Sequence, residues 1–121
     1  MRSERAYLEH ILHCIRRIQE DSSKGKEGVF AAPTLQDAIV RNLQILCESA
    51  QRLAESSKMR HPDVDWRGIS GLRNVLVHSY FEVDFETIWI IIQRDLPALE
   101  GAVRRLLEEP PASDELTRLL K

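Results

Sequence analysis

The sequence is poor in the features that mark most specialised protein classes. Its longest unbroken apolar run is Ile88-Trp89-Ile90-Ile91-Ile92, far short of the roughly 20 residues a membrane-spanning helix needs. The opening Met1-Arg2-Ser3-Glu4-Arg5 leads into mixed polar sequence rather than an apolar stretch, so no secretory signal is expected and the chain reads as cytoplasmic, away from membranes. Cysteine is limited to Cys14 and Cys47, which form no metal-type cluster and suit buried thiols in a reducing compartment. The chain has no glycine-rich phosphate loop, no Cys-x-x-Cys and no Gly-x-Ser-x-Gly elbow. Internal repeats and low-complexity stretches are missing too. No cofactor is expected.

Positive charge is also in short supply. The 17 Lys+Arg against 19 Asp+Glu leave a net charge of −2, which argues against a broad, salt-driven grip on nucleic acid. The charge is not spread evenly. Residues 1–51 sum to 0, residues 52–78 to +2 and residues 79–121 to −4. The middle third is the only positive one, through Arg52, Lys58, Arg60, Arg67 and Arg73, and it holds two of the four histidines. The count leaves room for a compact local site there.

The chain contains enough to fold. Its 121 residues, 43% hydrophobic and 30% charged, fit one domain with a core and a charged coat. The periodicity is helical nearly throughout. Tyr7, Leu8, Ile11, Leu12, Ile15 and Ile18 share one face of a first helix, which should fade into a polar loop over residues 22–28. Thr34 is the expected N-cap of a second helix that runs to about Ser57, along a stripe including Ile39, Leu43, Leu46, Cys47, Leu53 and Ala54. Asp65 should cap a third helix with Trp66, Ile69, Leu72, Leu76 and Val77 inward. Gly68 and Gly71 are its weak point, implying a short helix or a very close neighbour. Asp84 should cap a fourth, carrying Ile88, Ile92, Leu96, Leu99, Val103 and Leu106, kinked near Gln93 by Pro97 and stopped by Pro110-Pro111. Ser113-Asp114-Glu115 could open a short terminal helix. The expected fold is all-α, an antiparallel bundle of four to five helices in a single domain, its core about residues 5–108 and residues 109–121 a tail.

Most candidate chemistry has a plain structural explanation. His10 and Cys14 are four apart with His13 nearby, but a metal site would need further ligands, and no metal is expected. Glu82, Asp84 and Glu86 read as helix-start charges. One segment stands apart: Gly71-Leu72-Arg73-Asn74-Val75-Leu76-Val77-His78-Ser79-Tyr80. Asn74 and His78 lie one helical turn apart, and Arg73 and Tyr80 lie seven residues apart on another face. Arg73 and His78 differ by about 140° on a helix, so one must reach round or the helix must end between them. From spacing alone the stronger reading is structural, a capping histidine with Arg and Tyr pinning neighbouring helices. The functional reading is phosphodiester cleavage in RNA. His78 would take the 2′-hydroxyl proton and Arg73 would stabilise charge on the phosphate oxygens, with no metal required.

Arg73-Asn74-Val75-Leu76-Val77-His78-Ser79-Tyr80 resembles the Arg-x4-His-x-Tyr signature of HepT-like proteins, the toxin half of type VII HepT–MntA toxin–antitoxin pairs within the HEPN superfamily. The flanks also resemble that family. They are Gln36 to Asn42, Asp65 to Asn74, and Val83-Asp84 through Trp89 to Pro97, so that coverage is roughly residues 5–108. The run Leu46-Cys47-Glu48-Ser49-Ala50 departs from the family's usual Ile-Gly-Glu-Ala-Ala, with Cys47 where a glycine permits close helix approach. The resemblance implies a HEPN-like bundle that dimerises through the motif-bearing helices and a metal-independent endoribonuclease acting on RNA, tRNA or mRNA. It implies that Arg73 and His78 are catalytic, that Asn74 supports them, and that Tyr80 is AMPylated by a cognate MntA-like minimal nucleotidyltransferase antitoxin. Bulk and phosphate charge on Tyr80 would block the RNA cleft. The alternative is a non-catalytic helical module that only pairs with a nucleotidyltransferase.

Overall fold

The structure, a computed structural model, describes residues 3–79 and 82–109. Among them are six α-helices and no strand: α1 Glu4–Asp21, α2 Gly25–Phe30, α3 Pro33–Gln51, α4 Glu55–Met59, α5 Trp66–His78 and α6 Phe85–Glu108. The fold is all-α as expected, with two short helices added to the four expected long ones. The terminal helix expected at residues 113–115 lies outside the described residues, as do Pro110 and Pro111.

The long helices form for the reasons their sequences give. Ser3 caps α1 by accepting the Ala6 N–H, and Leu8, Ile11, Cys14, Ile15 and Ile18 are its buried stripe. Cross-links fix the directions. Glu4 at the start of α1 accepts the Ala54 N–H just beyond α3, while His10 meets Ser49; α1 and α3 are therefore antiparallel. Arg5 reaches the Leu107 carbonyl and Gln19 donates to Glu100, which sets α6 antiparallel to α1. Ile11, Ile18, Ile39, Leu43, Ile88, Leu99 and Val103 are essentially inaccessible to solvent and belong to one continuous core.

Three expectations need correction. The loop expected over residues 22–28 is helical from Gly25 on, where α2 begins. Gly25, at φ +78°, reverses the chain in a conformation that only glycine adopts freely. Tertiary contacts then outweigh the poor propensity of Gly-Lys-Glu-Gly. Val29 is fully buried, and Phe30 packs edge-to-face on Phe85 and Trp89 at 5.3 and 6.2 Å. Lys26 pairs with Glu86, and Gln36 donates to the Val29 and Phe30 carbonyls.

The second correction concerns α3. Its N-cap is Ala32 with Pro33 in the first turn, so Thr34 lies inside the helix. It stops at Gln51 rather than near Ser57, because Ala54 is extended (ψ 145°) and its amide is taken by Glu4. Leu53 turns into the core, Ala54 stays exposed, and α4 follows as a separate turn of helix. Third, Val77 on α5 is 38% exposed rather than inward.

The caps of α5 and α6 are the expected ones: Asp65 accepts the Gly68 N–H at 2.9 Å and Asp84 the Glu86 N–H at 3.1 Å. Trp66 anchors the start of α5, its indole N–H shared between the Lys58 and His61 carbonyls. Ile88 to Ile92 are helical, and α6 runs on with Pro97 inside it until Glu108. No helix among the described residues is long and apolar enough to cross a membrane.

Candidate functional site

The cap at Asp65 and the anchor at Trp66 fix the phase of α5, and that phase decides where each side chain of the singled-out segment goes. Leu76 is buried and Ile69 and Leu72 pack on the core, so this side of the helix faces inward. The opposite arc, about 160° wide by the helical repeat, carries Gly71, Asn74, Val75, Val77 and His78, all exposed. Arg73 sits on the flank between the two, facing α3.

The helix does not end between Arg73 and His78. It runs through both, closing at Ser79, whose N–H returns to the Val75 carbonyl at 2.8 Å. No hydrogen bond or ion pair joins Arg73 to His78 within the chain. Their separation stays near that of a regular helix, about 140° around the axis and roughly 7.5 Å along it. His78 occupies the last turn, where a cation is favoured by the helix dipole. Tyr80 lies outside the described residues.

Arg73 is held and His78 is free of the core. The Arg73 side chain keeps 31% of its exposure. Its Nε lies 3.8 Å from Oε1 of Glu48 on α3, an ion-pair distance too long for a hydrogen bond. That Nε is buried and has no hydrogen-bond partner among the described residues. At the other end of the guanidinium, Nη1 donates to Asn74 Oδ1 at 3.3 Å. Asn74 is thus in hydrogen-bond contact with the guanidinium of its sequence neighbour.

Glu48 was legible in the sequence only as part of an atypical run; nothing in the spacing ties it to a residue on a different helix. Gln44, one turn earlier, donates to the same Oε1 at 3.3 Å. Beside it an open groove of about 280 Å³ is lined by Tyr7, His10, Ile45, Glu48, Ser49 and Arg52. A second hollow of about 200 Å³ lies between α3, α5 and α6, walled by Leu43, Cys47, Ile69, Leu72 and Leu99. Arg73, Asn74 and His78 are not among its lining residues.

The thiols are chemically quiet. Burial pushes Cys47 up to about 12, helped by the negative charge of Glu48 and by Cys14. Burial also raises Cys14, partly offset by Arg17. Neither is poised as a nucleophile. Among the described residues, no three of His, Cys, Asp and Glu come together as a metal-binding group.

Comparison with known proteins gives this geometry a family. Residues 11–106 match the family described as Ribonuclease HepT-like. A protein of Caldanaerobacter subterraneus, provisionally named an RNase, is 36% identical over 90% of this chain and 98% of its own. One named a probable ribonuclease HepT, from Thermococcus cleftensis, is 32% identical over 87% of this chain and 96% of its own. The mRNA nuclease HepT of Shewanella oneidensis is 29% identical, covering 74% of this chain and 85% of that one. No solved structure matches the chain. With the match spanning all of α3 and α5 and most of α1 and α6, the chain belongs to the HepT-like ribonuclease family.

Proposed function

We propose that the chain is a ribonuclease toxin that cleaves RNA at a cleft formed by two copies of α5. The observation that carries this reading is the division of labour along that helix. A permanently charged arginine is braced on the α3 flank, and an imidazole stands on the exposed arc one and a half turns later. His78 takes the proton from a ribose 2′-hydroxyl, and the 2′-oxygen attacks phosphorus. The P–O5′ bond breaks to leave a 2′,3′-cyclic phosphate. The departing 5′-oxygen then collects the proton that His78 took up, returning the imidazole to its starting charge state. Arg73 offers N–H groups to the non-bridging oxygens as negative charge grows on them, with Asn74 steadying the guanidinium. Both tasks are performed by side chains alone, so the reaction proceeds without a divalent metal.

Because Arg73 and His78 point to different sides of one helix, the site draws on two chains, each supplying what the other presents poorly. A homodimer in the cytoplasm is the working unit. Tyr80, two residues past His78, is the point of control: a MntA-like nucleotidyltransferase antitoxin AMPylates it, and the added phosphate repels RNA from the cleft. The substrate is RNA, with mRNA supported by the name of the Shewanella oneidensis relative.

The test is cleavage of RNA by unmodified protein in EDTA, against His78→Ala and Arg73→Ala. Both variants should lose activity while keeping their helical signal. Cleavage that survives both substitutions removes the proposal. A wild-type protein that gains the mass of AMP from its partner yet never cuts RNA would mark a binding module instead.

A further inference from the structure

We infer that Glu48 is the positioning residue for Arg73, setting the orientation of its guanidinium; the role rests on the ribonuclease reading above. An arginine on a helix flank has four rotatable bonds, and an exposed one samples many directions. Arg73 does not have that freedom. Its Nε edge is buried 3.8 Å from Glu48 Oε1, and its Nη1 is held by Asn74. Glu48 is the sole anionic partner within ion-pair reach of Arg73 among the described residues. The third nitrogen, Nη2, donates to no described residue.

Glu48, whose side chain keeps 43% of its exposure, has a partner of its own. Gln44 donates to the oxygen that faces Arg73. On either side in sequence, Cys47 and Ser49 are buried, and Ser49 Oγ meets His10 Nδ1 on α1 at 3.4 Å. The carboxylate is thus mounted on the stretch of α3 locked between α1 and α5. At 3.8 Å its hold is coulombic rather than hydrogen-bonded, so it orients the guanidinium while leaving its fork able to close on phosphate. A carboxylate buried in hydrogen bonds to the fork would compete with the substrate; this one does not.

The experiment compares Glu48→Gln, Glu48→Asp and Glu48→Ala in the full chain. Glu48→Gln is isosteric and keeps an oxygen for Gln44, so it folds. Turnover should fall about tenfold to a hundredfold in Glu48→Gln with KM little changed, as for loss of an orienting partner. Glu48→Asp, which keeps the charge, should recover part of it. The second readout needs no RNA. The Arg73 Nε–H resonance, assigned by its loss in Arg73→Lys, should exchange slowly with water in wild type and faster in Glu48→Gln. Unchanged exchange, or unchanged kcat beside an inactive His78→Ala, overturns the positioning role. A wild-type protein that cuts no RNA removes the ribonuclease reading instead, and the exchange measurement still decides whether Glu48 holds Arg73.

Discussion

The carboxylate of Asp65 fills the space that a side chain on Gly68 would occupy: a Cβ at Gly68 would lie 2.3 Å from Asp65 Oδ2. The glycine near the start of α5 accommodates the cap, not a neighbouring helix. Gly71, three residues on, has nothing within 4 Å of its would-be Cβ. The two glycines therefore respond differently to the same change. Gly71→Ala should stabilise the chain by up to about 1 kcal/mol. Gly68→Ala must displace the capping carboxylate, which is itself worth about 1 kcal/mol, and its gain is cancelled. Thermal unfolding should place Gly71→Ala above Gly68→Ala by roughly 4 °C.

That contrast shows how far the sequence could be read. Caps and apolar stripes are local, so Asp65, Asp84, the buried faces of α1 and α6 and, Val77 apart, that of α5 followed from spacing. The spacing pointed to a short helix or a close neighbour at Gly68; that the glycine makes room for the cap depends on a side-chain position, which spacing does not encode. The same holds for α2 and α4. Phe30 against Phe85 and Glu4 on the Ala54 amide are long-range contacts that override weak local preferences. Arg73, Asn74 and His78 were visible as polar residues interleaved with a core stripe. Glu48 as a neighbour of Arg73 was not, because only packing of α3 on α5 brings the two together.

Pro97 lies exposed inside α6, where it cannot donate to the Gln93 carbonyl. Pro97→Ala restores that donor and a good helix former. Stability should rise by about 1–3 kcal/mol, read as a higher denaturant midpoint with an unchanged slope.

Cys47 couples stability to alkaline pH. Its thiol titrates near 9.0 in an unfolded chain and at about 12 in the fold. Between those values the unfolded state loses a proton that the folded state keeps, so stability falls as pH rises through the window. The slope from this group is about 1.4 kcal/mol per pH unit. Cys47→Ala should be less stable than wild type at pH 8, where it leaves a small cavity. It should lose less on going to pH 11, so that the gap narrows. Denaturant melts at the two pH values measure this, and native protein at pH 8 should resist thiol-labelling reagents until unfolded.

The exposed arc of α5 decides whether the working site belongs to one chain or two. Val75 and Val77 keep 42% and 38% of their surface beside Asn74 and His78, an apolar patch next to the proposed chemistry. On the two-chain reading, Val75→Glu/Val77→Glu should yield a folded monomer by light scattering, with RNA cleavage lost. Mixing separates assembly from chemistry. Arg73→Ala and His78→Ala homodimers are each inactive. Random exchange makes half of the dimers mixed, and each mixed dimer keeps one site with Arg73 from one chain and His78 from the other. Activity should return to about a quarter of wild type. If both groups of a site came from the same chain, every site in the mixture would lack one of them and nothing would return.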